Sequence, residues 1–227
     1  MNERRVIKME IKKLKEEIEA IADKYAANLD LKVTDRINEM ASDDNSHYLI
    51  YEVLGIESEE GYMIDLYQNK GRFLYKYAGA FLEEATFLCF KYKFLDAEKV
   101  KIPNTHSPRP KTFEIDCLVN NRAYEIKWRD ATTDGDHITK EHTRAQAIKE
   151  YGYTPIRIMF YYPNRKQAIR IQKTLETLYN GLEGEYYWGD DAWKYVNLAT
   201  GIDLYQILVD IASKKSLKKE TLNHERN

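Results

Sequence analysis

Two short segments near the middle of the chain alternate apolar and polar residues with a strict two-residue period. This is the period of half-buried β-strands. Asn120-Asn121 lies between the segments, and asparagine tolerates the positive φ that a two-residue hairpin turn requires. The pattern predicts a β-hairpin with its apolar residues on one side. These residues are Phe113, Ile115, Cys117 and Val119 in the first strand and Tyr124, Ile126 and Trp128 in the second.

The opposite side of this hairpin carries Glu114, Asp116, Glu125 and Lys127. With the turn at Asn120-Asn121, Asp116 faces Glu125, and like charges placed opposite each other are destabilising unless a cation lies between them. Carboxylate oxygens suit Mg²⁺, and Lys127 projects from the same face near enough to contact a water or a phosphate oxygen. The arrangement favours metal-assisted attack of water on a phosphodiester. The alternative is a salt-bridge cluster on a solvated sheet face.

Apolar positions spaced three and four residues apart predict helices on both sides of the hairpin. The order of helix, two strands, helix and strand predicts an α/β fold, in which helices flank a mixed β-sheet and further helices lie at the N- and C-terminal ends. The predicted helices are 5–27, 72–93, 139–151, 166–180 and one or two within 193–213; 47–54 is a short helix or strand, and 156–161 is a strand.

Three regions follow from this order. Residues 1–70 form an N-terminal helical region that could serve in dimerisation or DNA contact, and its first helix either forms a short coiled-coil seam or packs on its own domain. Residues 71–213 form the catalytic core with C-terminal helices. Residues 214–227 are polar and lysine-rich, and we expect a frayed tail.

The spacing of Asp116, eight residues and then Glu125-Ile126-Lys127 resembles the signature of the PD-(D/E)XK nuclease superfamily, which includes type II restriction endonucleases. Ile115 stands where the superfamily's name has proline, a backbone feature that the metal chemistry does not need. The segment 128–144 is similar to restriction enzymes of the ApaLI-like group. The resemblance implies a restriction-endonuclease-like core.

This resemblance implies a Mg²⁺-dependent endonuclease that cuts double-stranded DNA at a specific, palindromic sequence as a homodimer. Asp116 and Glu125 would hold the metal, and Lys127 would act in catalysis beside them. In this superfamily a helix before the core strands often adds a glutamate, which implies Glu83 or Glu84, with Glu83 preferred; both could instead be solvated. The alternatives are a DNA repair or junction nuclease of the same fold, or a DNA-binding protein without turnover.

Donor side chains near and beyond the second strand are candidates for DNA contact. Arg129 extends the strand past Lys127, and His137, Lys140, His142 and Arg144 lie on or just before the next predicted helix. Such donors suit phosphates and base edges, although a polar outer helix face would have the same composition.

Composition narrows the function classes. The net charge of −2 and the pI near 6.3 argue against a protein that coats nucleic acid nonspecifically, yet 35 Lys and Arg residues are available for a local patch. No apolar run reaches the length of a membrane span, and the start of the chain is charged, so we expect a cytoplasmic protein. Cys89 and Cys117 lie in apolar runs, which predicts two buried thiols.

Overall fold

A computed structural model of the protein describes residues 3–107, 109–129 and 135–224. Within these ranges the chain forms seven α-helices and one five-stranded β-sheet. The helices are α1 (Glu3–Ala41), α2 (Tyr48–Val53), α3 (Ser58–Lys93), α4 (Gly135–Glu150), α5 (Lys166–Gly181), α6 (Asp190–Thr200) and α7 (Leu204–His224). The strands are β1 (Glu98–Pro103), β2 (Thr112–Val119), β3 (Arg122–Lys127), β4 (Thr154–Met159) and β5 (Glu185–Trp188).

The chain divides into two compact units. The sheet unit comprises Met1–Glu19 and Leu82–Asn227, and the helical unit comprises Ala20–Phe81. The predicted functional division at residues 70 and 213 stays a prediction. None of the helices within the described ranges combines the length and the hydropathy that crossing a lipid bilayer requires.

The sheet is mixed, as predicted, with the strand order β1-β2-β3-β4-β5. β1, β2 and β3 pair antiparallel, whereas β3, β4 and β5 pair parallel. Helices cover both faces. On one face Ala147 and Ile148 of α4 join the apolar cluster of β1, β2 and β3. On the other face the ring of Phe90, in α3, lies 4.4 Å from the ring of Tyr124 in β3. The free thiols of Cys89 and Cys117 are both buried, as predicted.

β2 contains one residue more than β1 does over the same stretch. Glu98 pairs with Leu118, and Val100 pairs with Ile115, so a two-residue step on β1 lies opposite a three-residue step on β2. This is a β-bulge at residues 116 and 117, and bulges bend a strand and change the direction of its side chains.

The bulge overturns one part of the predicted pattern. Phe113 and Ile115 share an apolar cluster with Leu118 and Ala123, although the alternation predicted that they would share a side with Cys117. The extra residue shifts the alternation by one position, so the two halves of β2 do not follow a single period. Both faces of the strand's second half are buried because helices cover the sheet on both sides.

Several boundaries differ from the prediction. α3 begins at Ser58, so Gly71 lies within the helix and does not start it. α1 continues to Ala41, and α7 continues through the part of the predicted frayed tail that lies before residue 225. β1 and β5 were not predicted at all, because β1 carries charged residues at 98, 99 and 101 and β5 is only four residues long. In α1, Leu14 and Ile18 are fully buried, as expected for a helix that packs on its own domain.

Candidate active site

The β2–β3 hairpin has the predicted register. Val119 pairs with Arg122 and Cys117 with Tyr124, and Asn120 has the positive φ of 52° that the tight turn requires. Over these two described strands the ladder stops at Cys117–Tyr124. The direct pairing of residues 116 and 125 that the turn implied is therefore absent, and the two strands separate at the bulge.

Where the two strands separate, the Asp116 side chain accepts a backbone hydrogen bond from β3 that a backbone carbonyl would accept in a continuous ladder. Its Oδ2 accepts a hydrogen bond of 2.8 Å from the backbone N–H of Ile126 and lies 3.5 Å from Lys127 Nζ. Lys127 also forms an ion pair with Glu125 Oε1. Asp116, Glu125 and Lys127 therefore converge on one point, as predicted, although the bulge and the side-chain contact replace the expected cross-strand pair.

Burial distinguishes this cluster from a surface salt bridge. Glu125 is 1% exposed and Asp116 is 6% exposed, while Lys127 is half-buried. Exposed ion pairs contribute little, but buried charges are costly unless they are well paired. The solvated-face alternative is therefore wrong for these two carboxylates.

The electrostatic consequence is largest at Asp116. Burial, and then the neighbouring carboxylate of Glu125, raise the pKa of Asp116 to about 7, and Lys127 only partly opposes them. At Lys127 burial lowers the pKa, but the carboxylates of Glu125 and Asp116 outweigh burial, so that its pKa is raised. The Lys127 ammonium therefore stays charged.

A second set of buried charges lies beneath Glu125. Arg157 on β4 is the register partner of Glu125 on β3, and its Nη1 lies 2.6 Å from Oε2 of Glu141 in α4. The other oxygen of Glu141 lies 3.3 Å from Arg144 Nη1, which also forms an ion pair with Glu125 Oε1. An alternating chain of charges thus runs from Arg157 through Glu141 and Arg144 to Glu125 and Lys127.

This chain of charges leaves one oxygen of Glu125 available. Oε1 is held by Lys127 and Arg144, but Oε2 is buried and has no hydrogen-bond partner within residues 3–107, 109–129 and 135–224. A buried acceptor without a partner costs about 1–3 kcal/mol, so this oxygen favours any cation that can reach it.

The donor set fits a hard cation. Across the residues described, no group of three or more His, Cys, Asp or Glu side chains is arranged as a complete metal site. Mg²⁺ needs fewer protein ligands, because it keeps several waters and binds through one or two carboxylates together with substrate phosphates. Glu125 Oε2 and the Asp116 carboxylate are oxygen donors of the kind that such an ion takes.

The upstream glutamates lie on α3. Glu83 is close enough to Asp116 that its charge helps to raise the Asp116 pKa, and its Oε1 lies 2.5 Å from Lys99 Nζ. Glu84 is half-buried on the same helix. Glu83 therefore lies near Asp116, and its preference over Glu84 as a metal ligand stays a prediction.

The predicted DNA contacts on α4 do not form one group. Arg144 is directed to Glu125 and Glu141, so its contacts are those of a residue that positions carboxylates. Lys140 is exposed and His142 is half-buried. The side chain of His137 lies outside the described residues.

Arg129 is exposed at the end of β3, and its guanidinium lies 5.7 Å from the centre of the Trp128 ring. A cavity of about 440 Å³ opens at this end of the sheet, beyond the last residues of β3 and β4. Its lining residues are Trp128, Arg129, Tyr161, Tyr162, Pro163 and Asn164. Arg129 therefore lies near the cluster along the chain and keeps contact with solvent.

The sequence analysis did not identify Glu141 and Arg157 as site residues, although both are charged residues at positions where the pattern is apolar. Arg157 interrupts the apolar run of a strand between Ile156 and Ile158, and Glu141 lies on the same helix face as Ala145 and Ile148. Two opposite charges at core positions must pair with each other or with a third group.

Comparison with known families gives one match. The model of the ApaLI-like restriction endonuclease family matches residues 7–213, which is most of the chain. Comparisons with curated proteins and with solved structures give no match.

Proposed function

Because the chain belongs to the ApaLI-like restriction endonuclease family, we propose that it is a Mg²⁺-dependent type II endodeoxyribonuclease that cuts double-stranded DNA at a specific, palindromic sequence. The observation that carries the chemistry is the buried convergence of Asp116, Glu125 and Lys127, in which Glu125 Oε2 has no hydrogen-bond partner in the part of the chain that the structure describes. The predicted cytoplasmic location stays a prediction.

We assign the binding of Mg²⁺ to the Asp116 carboxylate and to Glu125 Oε2, with Glu83 as a third ligand from α3. The bound ion supplies Lewis-acid stabilisation of the phosphate charge and activation of the attacking water. Lys99, which pairs with Glu83 in the absence of a metal, would keep a counter-charge beside that ligand. Arg144 keeps the other Glu125 oxygen in place.

Lys127 acts on the reacting groups directly. Its ammonium lies between the two carboxylates, with Nζ 3.5 Å from Asp116 Oδ2, and its pKa is raised, so it donates hydrogen bonds and accepts no proton. We propose that it orients the attacking water and stabilises the additional negative charge on the phosphate as the water oxygen bonds to phosphorus. The bond from phosphorus to the leaving oxygen then breaks, the attacking water releases its proton to solvent, and the leaving oxygen takes a proton from solvent.

The DNA-contact assignments are part of this proposal. Arg129, which is exposed at the end of β3, is suited to a phosphate next to the scissile one. Lys140, His142 and His137 on α4 are candidates for phosphates or base edges further away. A homodimer would place two such sites on the two strands of a palindrome.

Cleavage of a plasmid of known sequence tests the function. Purified protein with Mg²⁺ should yield discrete fragments whose ends map to one short sequence, and chelation of the metal should stop the reaction. Glu125→Gln is the matched inactive variant, because it keeps the shape of the side chain and loses its charge. Nicking that follows DNA structure rather than sequence would favour the repair or junction alternative, and binding without any cleavage would favour the DNA-binding alternative.

A further inference from the structure

The carboxyl ends of the parallel strands β3, β4 and β5 meet at one edge of the sheet, where the last strand residues are Lys127, Met159 and Trp188. Ligands of open α/β sheets bind at this edge. The cavity of about 440 Å³ lies here, because its lining residues follow β3 and β4 along the chain, and cavities that hold small ligands measure roughly 300–1,000 Å³. We call it the aromatic pocket, lined by Trp128, Arg129, Tyr161, Tyr162, Pro163 and Asn164.

The walls of the aromatic pocket are held in place beyond the ends of the strands. The backbone N–H of Tyr161 donates a hydrogen bond of 3.0 Å to the carbonyl of Trp128, so the segment after β4 stays beside the segment after β3. The centre of the Tyr162 ring lies 4.3 Å from the centre of the Trp188 ring at the end of β5. The pocket is therefore formed without a ligand, and it adjoins the strand that carries Lys127.

The rings around the aromatic pocket keep much of their surface in water. Tyr161 is 51% exposed and Trp188 is 41% exposed, while Trp128 and Tyr162 are half-buried. An aromatic side chain offers a stacking surface to any nucleic-acid base, since every base has a π-face. The exposed amide of Asn164 can donate and accept hydrogen bonds at the edge of a base. The lining therefore suits a planar heteroaromatic ring with polar edges.

Charge beside the aromatic pocket favours a base that belongs to a nucleic acid. Residues 161–170 contain three Lys or Arg and no Asp or Glu. Arg129 lines the pocket itself, and it is exposed and two residues from Lys127. Cations beside a stacking surface bind the phosphates that flank a base. A duplex is too wide to enter a cavity of this volume, so the occupant is a single base that has left the stack.

We propose that the aromatic pocket holds one unstacked base of the DNA strand whose phosphate lies beside Lys127. Trp128 directly follows Lys127, so a nucleotide that leaves the stack next to the reacting phosphate can reach the pocket. Enzymes that extrude a nucleotide from a duplex hold its base by stacking between aromatic side chains. This inference deepens the proposed function and rests on it in one respect, because the base belongs to the strand that is cut.

Binding is measured without cleavage, so that the result does not depend on turnover. One probe is a short duplex with a single unpaired nucleotide, and the other is the fully paired duplex of the same sequence, both with Ca²⁺ in place of Mg²⁺. The unpaired base enters the pocket without the cost of breaking a base pair. The duplex with the unpaired nucleotide should therefore bind at least about tenfold more tightly to the full chain. Fluorescence anisotropy measures both affinities.

Substitutions at Tyr161 test the stacking. Tyr161→Ala should reduce the preference for the unpaired nucleotide at least about fivefold, because one stacking ring is lost. Tyr161→Phe keeps the ring and should keep the preference. Tyr151→Ala is the matched control, since Tyr151 is 43% exposed and lies just before β4, at the opposite end of that strand from the pocket. This control variant should also keep the preference.

A 5-iodouracil base at the unpaired position tests the location directly. On irradiation it should crosslink to a peptide that contains Trp128, Tyr161 or Tyr162, identified by mass spectrometry. Equal affinity for the two duplexes, a preference that Tyr161→Ala leaves intact, or a crosslink confined to other peptides would overturn the proposal without affecting the cleavage test of the nuclease. A preference that depends on Tyr161 in a chain that cuts no DNA would support the pocket and count against the nuclease alone.

Discussion

Arg157 and Glu141 in the sheet unit are almost completely buried, whereas Val53 and Leu54 in the helical unit leave 74% and 70% of their surface in water. Each arrangement is unfavourable by itself. A buried charge needs a partner that restores what water supplied, and an exposed aliphatic side chain forgoes the gain of burial.

The two regions differ in whether other groups of the same chain offset the unfavourable arrangement. In the sheet unit the compensation is internal, because Arg157, Glu141, Arg144 and Glu125 pair with one another. In the helical unit four aliphatic side chains each leave more than 60% of their surface exposed: Leu49, Ile50, Val53 and Leu54. Each one would gain up to roughly 1.5–3 kcal/mol if it were fully buried. The first pattern indicates a positioned reactive site, whereas the second leaves apolar surface uncompensated within this chain.

The largest effect should follow from Arg157→Met, which leaves the buried Glu141 carboxylate without its closest partner. Loss of one member of a buried pair costs about 3–5 kcal/mol of the free energy of unfolding. Urea denaturation measures this loss. Arg170→Met, on the exposed side of α5, is the control and should change stability little. The double variant Arg157→Met with Glu141→Leu should recover much of the loss, and failure to recover would mean that the pair is not the cause.

Lys127→Ala should reduce kcat at least about 100-fold, or roughly 2.7 kcal/mol, while specific DNA binding persists, because the side chain is assigned to the transition state. Lys140→Ala, which removes an exposed lysine from α4, should instead weaken DNA binding and leave kcat nearly unchanged. Steady-state kinetics on a short duplex separates the two. If Lys127→Ala keeps more than about a tenth of the wild-type kcat, Lys127 has no part in the chemistry.

Asp116→Asn should stabilise the metal-free protein at pH 8. The Asp116 pKa of about 7 lies above its ordinary value of 3.8, so protonation of this group favours the fold. That contribution is complete below pH 3.8, falls as the pH rises and is lost above about 7. Wild type should therefore lose at least about 1 kcal/mol more than the variant between pH 5 and 8, measured by urea denaturation with a chelator present. Parallel pH profiles would refute the raised pKa.

The smallest effect should be that of Val53→Glu on the stability of the isolated chain. A substitution at a side chain 74% exposed should change the free energy of unfolding by less than about 0.5 kcal/mol at a concentration where the chain is monomeric. Denaturation at high and low protein concentration separates folding from association. A large loss at low concentration would show that α2 packs within the chain through this residue.

The sequence was sufficient where a local rule decides the structure. Asn120 and Asn121 fix the turn, and the register of 119 with 122 follows from them. It was insufficient where a distant strand decides. The bulge at residues 116 and 117 depends on the pairing with β1, which the pattern did not predict, and so the sides of Phe113 and Asp116 were assigned by an alternation that the bulge interrupts.

Prediction of the candidate site succeeded and failed for the same reasons. Asp116, Glu125 and Lys127 follow from spacing along one hairpin. Glu141 and Arg157 lie on different elements, and only tertiary packing reveals that they support Glu125 through Arg144. The exposure of Leu49, Ile50 and Val53 was likewise not predicted, because the pattern over residues 47–54 does not tell which side of the element turns inward.

We propose that Asp116 and Glu125 together hold a divalent cation at the reacting phosphate. The most direct measurement is the affinity for a cognate duplex with and without Ca²⁺, which can replace Mg²⁺ in binding without supporting cleavage. Ca²⁺ should tighten DNA binding at least about tenfold in wild type and in Lys127→Ala, and it should have almost no effect in Asp116→Asn. An equal Ca²⁺-dependent gain of DNA affinity in Asp116→Asn would mean that Asp116 does not hold the cation.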